Sequence, residues 1–288
     1  MTDNRKTTMT DAGDATIPSL PPLYRSLVAL DRHRHDSTVI VPHESYGFAA
    51  ETILVPVTAD EAALAQADYP IVFMATTKPM PVVLTGLPGQ KNRFVDANGR
   101  WKAGSYIPAY LRRYPFLLVR NPRNAESLAL CFDPSAECIS ERPGEGNLFD
   151  KGEPSQTTQA AIRFCKDFEI VARRTEALMT ELSALDLLVD GQIRLGRPEG
   201  EPVGVQGFRV VSEARLRALS DTDLGNLLRS GALGFIYAHL FSLRHLQQMV
   251  ATGAPAANER TKPSLRGGDG YRESGAETRH RDRADASL

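Results

Sequence analysis

The densest group of side chains able to bind or react lies between Trp101 and Phe116, where Trp101, Tyr106, Tyr110, Arg112, Arg113, Tyr114 and Phe116 crowd into one short stretch. Two adjacent guanidiniums among aromatic rings have the chemistry to hold a carboxylate or phosphate through paired hydrogen bonds, with a ring stacked beneath. Trp101, Tyr106, Tyr110, Arg112, Arg113 and Tyr114 are therefore the candidate ligand-binding set, and an acidic peptide or a small carboxylate is the ligand class they suggest. The same residues also admit a structural reading. In it, Pro108 starts a single helical turn, the arginines pair with sheet carboxylates, and the rings fill core.

Other constellations carry less. His33, His35 and His43, with Asp36 and Glu44 nearby, hold side-chain types that ligate transition metals, and a metal-dependent enzyme would use them. In an extended strand His33 and His35 share a face, with His43 returning across a turn; the alternative is a solvated polar loop with no partner identifiable to orient the rings. His239 lies on an apolar helix near Tyr237, Ser242 and His245, with no nucleophile and orienting acid beside it. It is read as a buried histidine bonded to a backbone carbonyl. Asp133 and Asp150 are either paired carboxylates for acid–base work or loop acids at turns. Gly86 to Asn92 contains a lysine but lacks the spacing of a phosphate-cradling loop, and no dinucleotide fingerprint, zincin motif or nucleophile elbow occurs. No catalytic residue is assigned and no cofactor is expected.

These residues need a scaffold, and the composition supplies one. The 288 residues are 42% hydrophobic and 24% charged, enough apolar material for one large core or two modest ones. A formal net charge of -1 gives no global field toward nucleic acid or anionic lipid. The arginines near the C-terminus are balanced by acids, as in a solubilising tail. Cys131, Cys138 and Cys165 form no C-x-x-C pair, and their odd number argues against a disulfide framework; Cys165 is expected to be a small buried hydrophobe. The start of the chain lacks the apolar stretch of a signal peptide, and no run is long enough to span a bilayer, so a soluble cytoplasmic protein is expected.

Residues 1–19 and 253–288 are poor in large apolar side chains and are expected to be disordered. Between them, residues 20–252 divide into a sheet-rich part, 20–150, and a mainly helical part, 151–252, an α+β arrangement with a mostly antiparallel sheet. Strands are read at Thr38–Val41, Thr52–Val57, Ile71–Met74 and Val82–Leu84, with hairpins over Phe94–Trp101 and Phe116–Phe132. Thr58 and Glu61 have capping-box spacing and start a helix that ends before Tyr69-Pro70. From Ser155 a long amphipathic helix runs through Ile162, Cys165, Phe168, Leu178, Leu182 and Leu185. After a Gly/Pro-rich loop, 196–207, come a short strand at Phe208–Val211 and helices capped by Ser212 and Ser220. A last helix, Ala232–Met249, is expected to turn Leu233, Ile236, Tyr237, Leu240, Leu243 and Leu246 inward.

Seven pieces in order, Tyr46-Gly47-Phe48-Ala49, Val55-Pro56-Val57, Asp68 to Phe73, Asn92 to Asp96 with Gly99 and Trp101, Tyr106 to Phe116, Leu148-Phe149-Asp150, and Tyr237 to Leu240 with Ser242-Leu243, resemble the bacterial SapC family over about residues 22–250. The family is named from a surface-array locus and is associated with a paracrystalline surface layer and serum resistance, and no reaction comes with it. The resemblance implies an accessory or binding protein, with a structural surface-layer component as a further alternative. The like-named permease of a peptide transporter is a different protein, which the missing spanning helix sets apart.

Overall fold

The β-branched and aromatic runs of the first half form strands close to where the sequence places them. A computed structural model of the chain describes residues 20–41, 45–121, 124–141, 146–195 and 203–253. The ends expected to be disordered lie outside the described residues, apart from Gly253, which closes the last helix.

Two short strands, β1 (Val28–Ala29) and β2 (Val39–Ile40), precede β3 (Leu54–Pro56). The Thr58/Glu61 capping box forms and opens a 3-10 turn, Ala59–Glu61, that continues into α1 (Ala62–Ala65). β4 (Ile71–Met74) and β5 (Pro81–Leu84) follow, and Pro108 caps the single turn α2 (Ala109–Arg112). β6 (Phe116–Asn121) and β7 (Asn124–Phe132) make the expected hairpin, with Phe116 opposite Phe132. β8 (Ile139–Ser140), β9 (Phe149–Asp150) and β10 (Glu153–Pro154) lead to α3 (Gln156–Ala184). That helix has 29 residues, about 43 Å of axis, and Ser155 caps it by accepting from the Thr158 N–H. β11 (Leu188–Leu195), β12 (Val203–Val211), α4 (Glu213–Arg217), α5 (Asp221–Ser230), α6 (Ala232–Ser242) and α7 (Arg244–Gly253) complete the order. Ser212 and Ser220 cap α4 and α5 as expected.

The main sheet is antiparallel, five-stranded and ordered β11-β12-β4-β5-β3; a second sheet is ordered β1-β7-β6. Side chains alternate across both sheets, so one strand serves two cores. Ile71, Phe73 and Val83 join the large cluster with α1, α6 and Trp101, whereas Val72, Val82 and Leu84 meet Phe208 and Met249 on the other face. Likewise Leu117 faces the large core while Phe116 and Leu118 pack with Leu148 and Cys165.

Four differences from expectation have physical causes. β11 is a strand at a place where none is expected from the sequence. In the sheet, Gly191 lies opposite Phe208, whose ring occupies the place a Cβ would need. β12 begins at Val203 rather than Phe208, so the helical half contributes two strands to the main sheet. Phe94–Trp101 closes on a single Val95–Trp101 bridge, with the Asp96 carboxylate accepting from the Asn98 and Arg100 N–H groups and Gly99 at φ +75. The last helix is two helices, interrupted at Leu243 where the Ser242 hydroxyl donates to the His239 carbonyl. Ala232, Phe235, Ile236, Ala238, His239 and Ser242 are buried, and the expected Leu233, Leu240, Leu243 and Leu246 pack partly buried against the cores, whereas Tyr237 is 45% exposed and stacks on Phe241.

Candidate functional site

The 101–116 stretch is held by a buried acid. Glu61, fixed as the capping-box residue, accepts from the Thr58 N–H at 2.9 Å and the Thr58 hydroxyl at 2.8 Å through one oxygen. Its other oxygen accepts from the Tyr106 hydroxyl at 2.9 Å and the Ala109 N–H at 2.6 Å. Burial and this neighbouring carboxylate push the Tyr106 phenol up to about 12, so it is a donor at neutral pH. Asp68 accepts from the Tyr106 N–H, the Tyr69 hydroxyl donates to the Tyr106 carbonyl, and the Trp101 indole donates to Tyr69. α2 is thereby fastened to the edge of the main core at its start.

The two arginines of that turn part company, because consecutive helical positions do not face the same way. Arg112 is exposed, lies over the Tyr106 and Phe164 rings and donates to the Tyr106 hydroxyl at 3.3 Å. Arg113 is only 6% exposed and packs between the rings of Tyr110 and Phe168, 4.4 and 4.3 Å from its guanidinium carbon. Its carboxylate partner is Glu169 on α3, at 3.8 Å, well beyond the 2.7–2.9 Å usual for a charge-assisted hydrogen bond. Burial raises the pKa values of the Tyr24 and Tyr110 phenols, and the positive charge of Arg113 nearby partly restrains both. Arg113 Nε has no partner; among the described residues it is the single buried side-chain nitrogen or oxygen left so.

Arg113 and Tyr110 line a cleft of about 400 Å³. One wall is a stripe of α3: Phe168, Glu169, Ala172, Thr175, Glu176 and Met179 recur at helical spacing. The other combines Val57, Met80 and Leu117 with Pro21, Pro22, Pro56, Pro79 and Pro81, which offer rings and no N–H donors. The Tyr110 hydroxyl donates to the Pro22 carbonyl at 2.8 Å, and the Ala59 N–H donates to Thr175 at 2.9 Å, so both walls are tied down. Lys78 and Glu176 meet at 4.0 Å on the exposed rim. A mostly apolar cleft of this size with one buried cation has the chemistry to orient a ligand by a single polar end.

The other predicted residues stand elsewhere. Trp101, Tyr106, Arg112 and Tyr114 do not line this cleft; Trp101 is core, and Tyr114 stacks on Phe48 and meets Tyr24 edge-on. His43 lies outside the described residues. His33 is exposed, and His35 accepts from the Asp31 N–H and meets Phe132 edge-on. Among the described residues no group of three His, Cys, Asp or Glu is placed to hold a metal. Asp133 is a turn acid, as one reading had it: burial alone would raise its pKa, but hydrogen bonds from Ser135 and from the Arg25 N–H outweigh that and lower it. Asp150 is exposed. The three cysteines are free and buried, and burial pushes the Cys165 thiol up to about 11. No helix among the described residues is long and apolar enough to cross a membrane.

Sequence reasoning missed Glu169 and the proline wall. The Phe168-Glu169 pair on the inward edge of α3 was the available signal, but the prolines converge from three separate segments. Comparison with curated proteins and with solved structures yields no match. The sequence model of SapC matches residues 30–249, a span that holds β4, α2, both arginines, the α3 wall and α6. With most of the chain matched, and with Tyr106–Phe116 and Tyr237–Leu243 both inside the span, the chain belongs to the SapC family.

Proposed function

We propose that the chain is a non-enzymatic accessory protein that binds a carboxylate-bearing ligand in the Arg113 cleft. The observation that carries this reading is that Arg113, a residue lining an apolar cleft, is a buried cation whose Nε has no hydrogen-bond partner. A buried charge left short of acceptors is costly unless something completes it. A carboxylate is the planar acceptor that fits a guanidinium edge. Arg113 and Tyr110 touch the ligand, while Trp101, Tyr106, Arg112 and Tyr114 hold the loop that carries them. The free, buried cysteines suit the reducing cytoplasm, where we place the protein; cell fractionation that finds it only at the cell surface would refute that placement.

The test is calorimetric titration of wild type, Arg112→Ala and Arg113→Ala with small carboxylates and with an acidic peptide. Binding by wild type that survives Arg112→Ala and is lost in folded Arg113→Ala supports the reading. Affinity unchanged in folded Arg113→Ala removes the site.

A further inference from the structure

We infer that the ligand of this cleft is an amphipathic monocarboxylate, an acid with one carboxylate and an apolar tail, and that Glu169 occupies Arg113 as its built-in competitor. The inference rests on the proposed reading of Arg113 as a carboxylate site and chooses among the ligands that reading admits.

Three observations make the choice. The lining carries Arg113 and Lys78 against Glu169 and Glu176, a formal balance of zero, so a ligand with several negative charges would meet carboxylates on the α3 wall. That disfavours acidic peptides and dicarboxylates. The unmet polar demand is for an acceptor: Nε–H lacks a partner, and among the described residues no buried side-chain acceptor is left without one. A ligand ammonium therefore answers no corresponding need. The remaining wall is apolar, supplied by residues such as Val57, Met80, Leu117 and Met179, and hydrocarbon buried there gains affinity with each methylene.

Glu169 explains how such a site stays stable when empty. Its contact with Arg113 is long, and its side chain retains 29% exposure, so it can turn toward water when a ligand carboxylate takes the guanidinium edge. The ligand thus exchanges one carboxylate for another at Arg113 while its tail covers the wall. Removing Glu169 leaves the cation without its resident counter-charge and open to the ligand.

The experiment is calorimetric titration of the full chain with octanoate, acetate, suberate, leucine and an acidic peptide, using wild type, Glu169→Gln and Arg113→Met. Octanoate should bind wild type about 100-fold more tightly than acetate, as buried methylenes require. Glu169→Gln should tighten octanoate about fivefold, because a nearby like charge is removed, and Arg113→Met should weaken it tenfold or more, about the value of a charge-assisted pair. Suberate or the peptide binding better than octanoate in an Arg113-dependent manner overturns the monocarboxylate assignment and leaves the carboxylate site standing. Leucine binding that Glu169→Gln weakens does the same, in favour of a zwitterion. Octanoate binding that ignores Arg113→Met, or no carboxylate binding at all, overturns both. The Glu169→Gln arm keeps the question answerable should Arg113→Met fail to fold.

Discussion

Two buried polar sites in this molecule solve the same electrostatic problem in opposite ways. Around His239 every polar group is answered. Nε2 accepts from the Val211 N–H at 3.0 Å, Nδ1–H donates to the Ile71 carbonyl at 2.8 Å, and Ser242 accepts from the Ile71 N–H at 2.9 Å. These bonds pin α6 to β4 and β12, fix the neutral tautomer, and leave nothing for a ligand. Around Arg113 the charge is equally buried, but its carboxylate stands off and one donor is unanswered. A satisfied buried group is a fastener, and an unsatisfied one beside a cleft is where we propose that a ligand completes the set.

The largest effect is expected on the fastened side. Replacing His239 with Ala deletes a fully buried ring and strands the Val211 N–H and Ile71 carbonyl. Stability should fall by about 3–5 kcal/mol in urea denaturation, with octanoate affinity of the remaining folded protein unchanged. A smaller effect follows from pH. Burial drives the His239 pKa from 6.5 down to about 4, opposed by the Ile71 carbonyl. Above 6.5 the ring is neutral folded and unfolded, and its contribution is complete. As pH falls from 6.5 to about 4, only the unfolded chain takes up the proton. Wild type should therefore lose about 3 kcal/mol across that window through this group, and His239→Gln should lack that slope in denaturation midpoints measured against pH.

Glu61 stands between the two sites. It is satisfied like His239, yet it holds the turn that presents Arg113. Glu61→Gln turns an amide toward the donors of Thr58 or of Tyr106 and Ala109, and should cost about 2 kcal/mol while also weakening carboxylate binding. Ser242→Ala leaves the Ile71 N–H alone and should cost about 1 kcal/mol with binding intact; thermal melts of both variants beside titrations check the contrast. Arg113→Met should move stability least. Exchanging a poorly paired buried cation for an apolar chain of similar length is worth within about 1 kcal/mol, since the partly exposed Glu169 regains water.

The fold was legible wherever local signals and tertiary packing agree. The Thr58/Glu61 box, the Phe116–Phe132 hairpin, α3 and the caps at Ser212 and Ser220 all use short-range rules. Legibility failed where a distant partner overrides them. β11 is a strand because Phe208 covers Gly191 from the neighbouring strand. On α6 the apolar pattern found Ile236 and the leucines that flank the core but placed exposed Tyr237 inside, and it could not show that His239 and Ser242, whose acceptors and donors lie on two strands, are fully buried. The candidate site was legible in part. Aromatic and arginine density marked the turn, but it could not separate exposed Arg112 from buried Arg113, nor foresee Glu169 and five prolines assembling the cleft.

If Arg113 takes a ligand carboxylate, its own side-chain signal must report it in nuclear magnetic resonance of protein carrying nitrogen-labelled arginine, titrated with octanoate. One Nε–H resonance, assigned to Arg113 by its absence from Arg113→Met, should shift saturably while the Arg112 signal stays put. A folded protein whose Arg113 signal does not move at octanoate concentrations that saturate any other site would contradict the proposed carboxylate site.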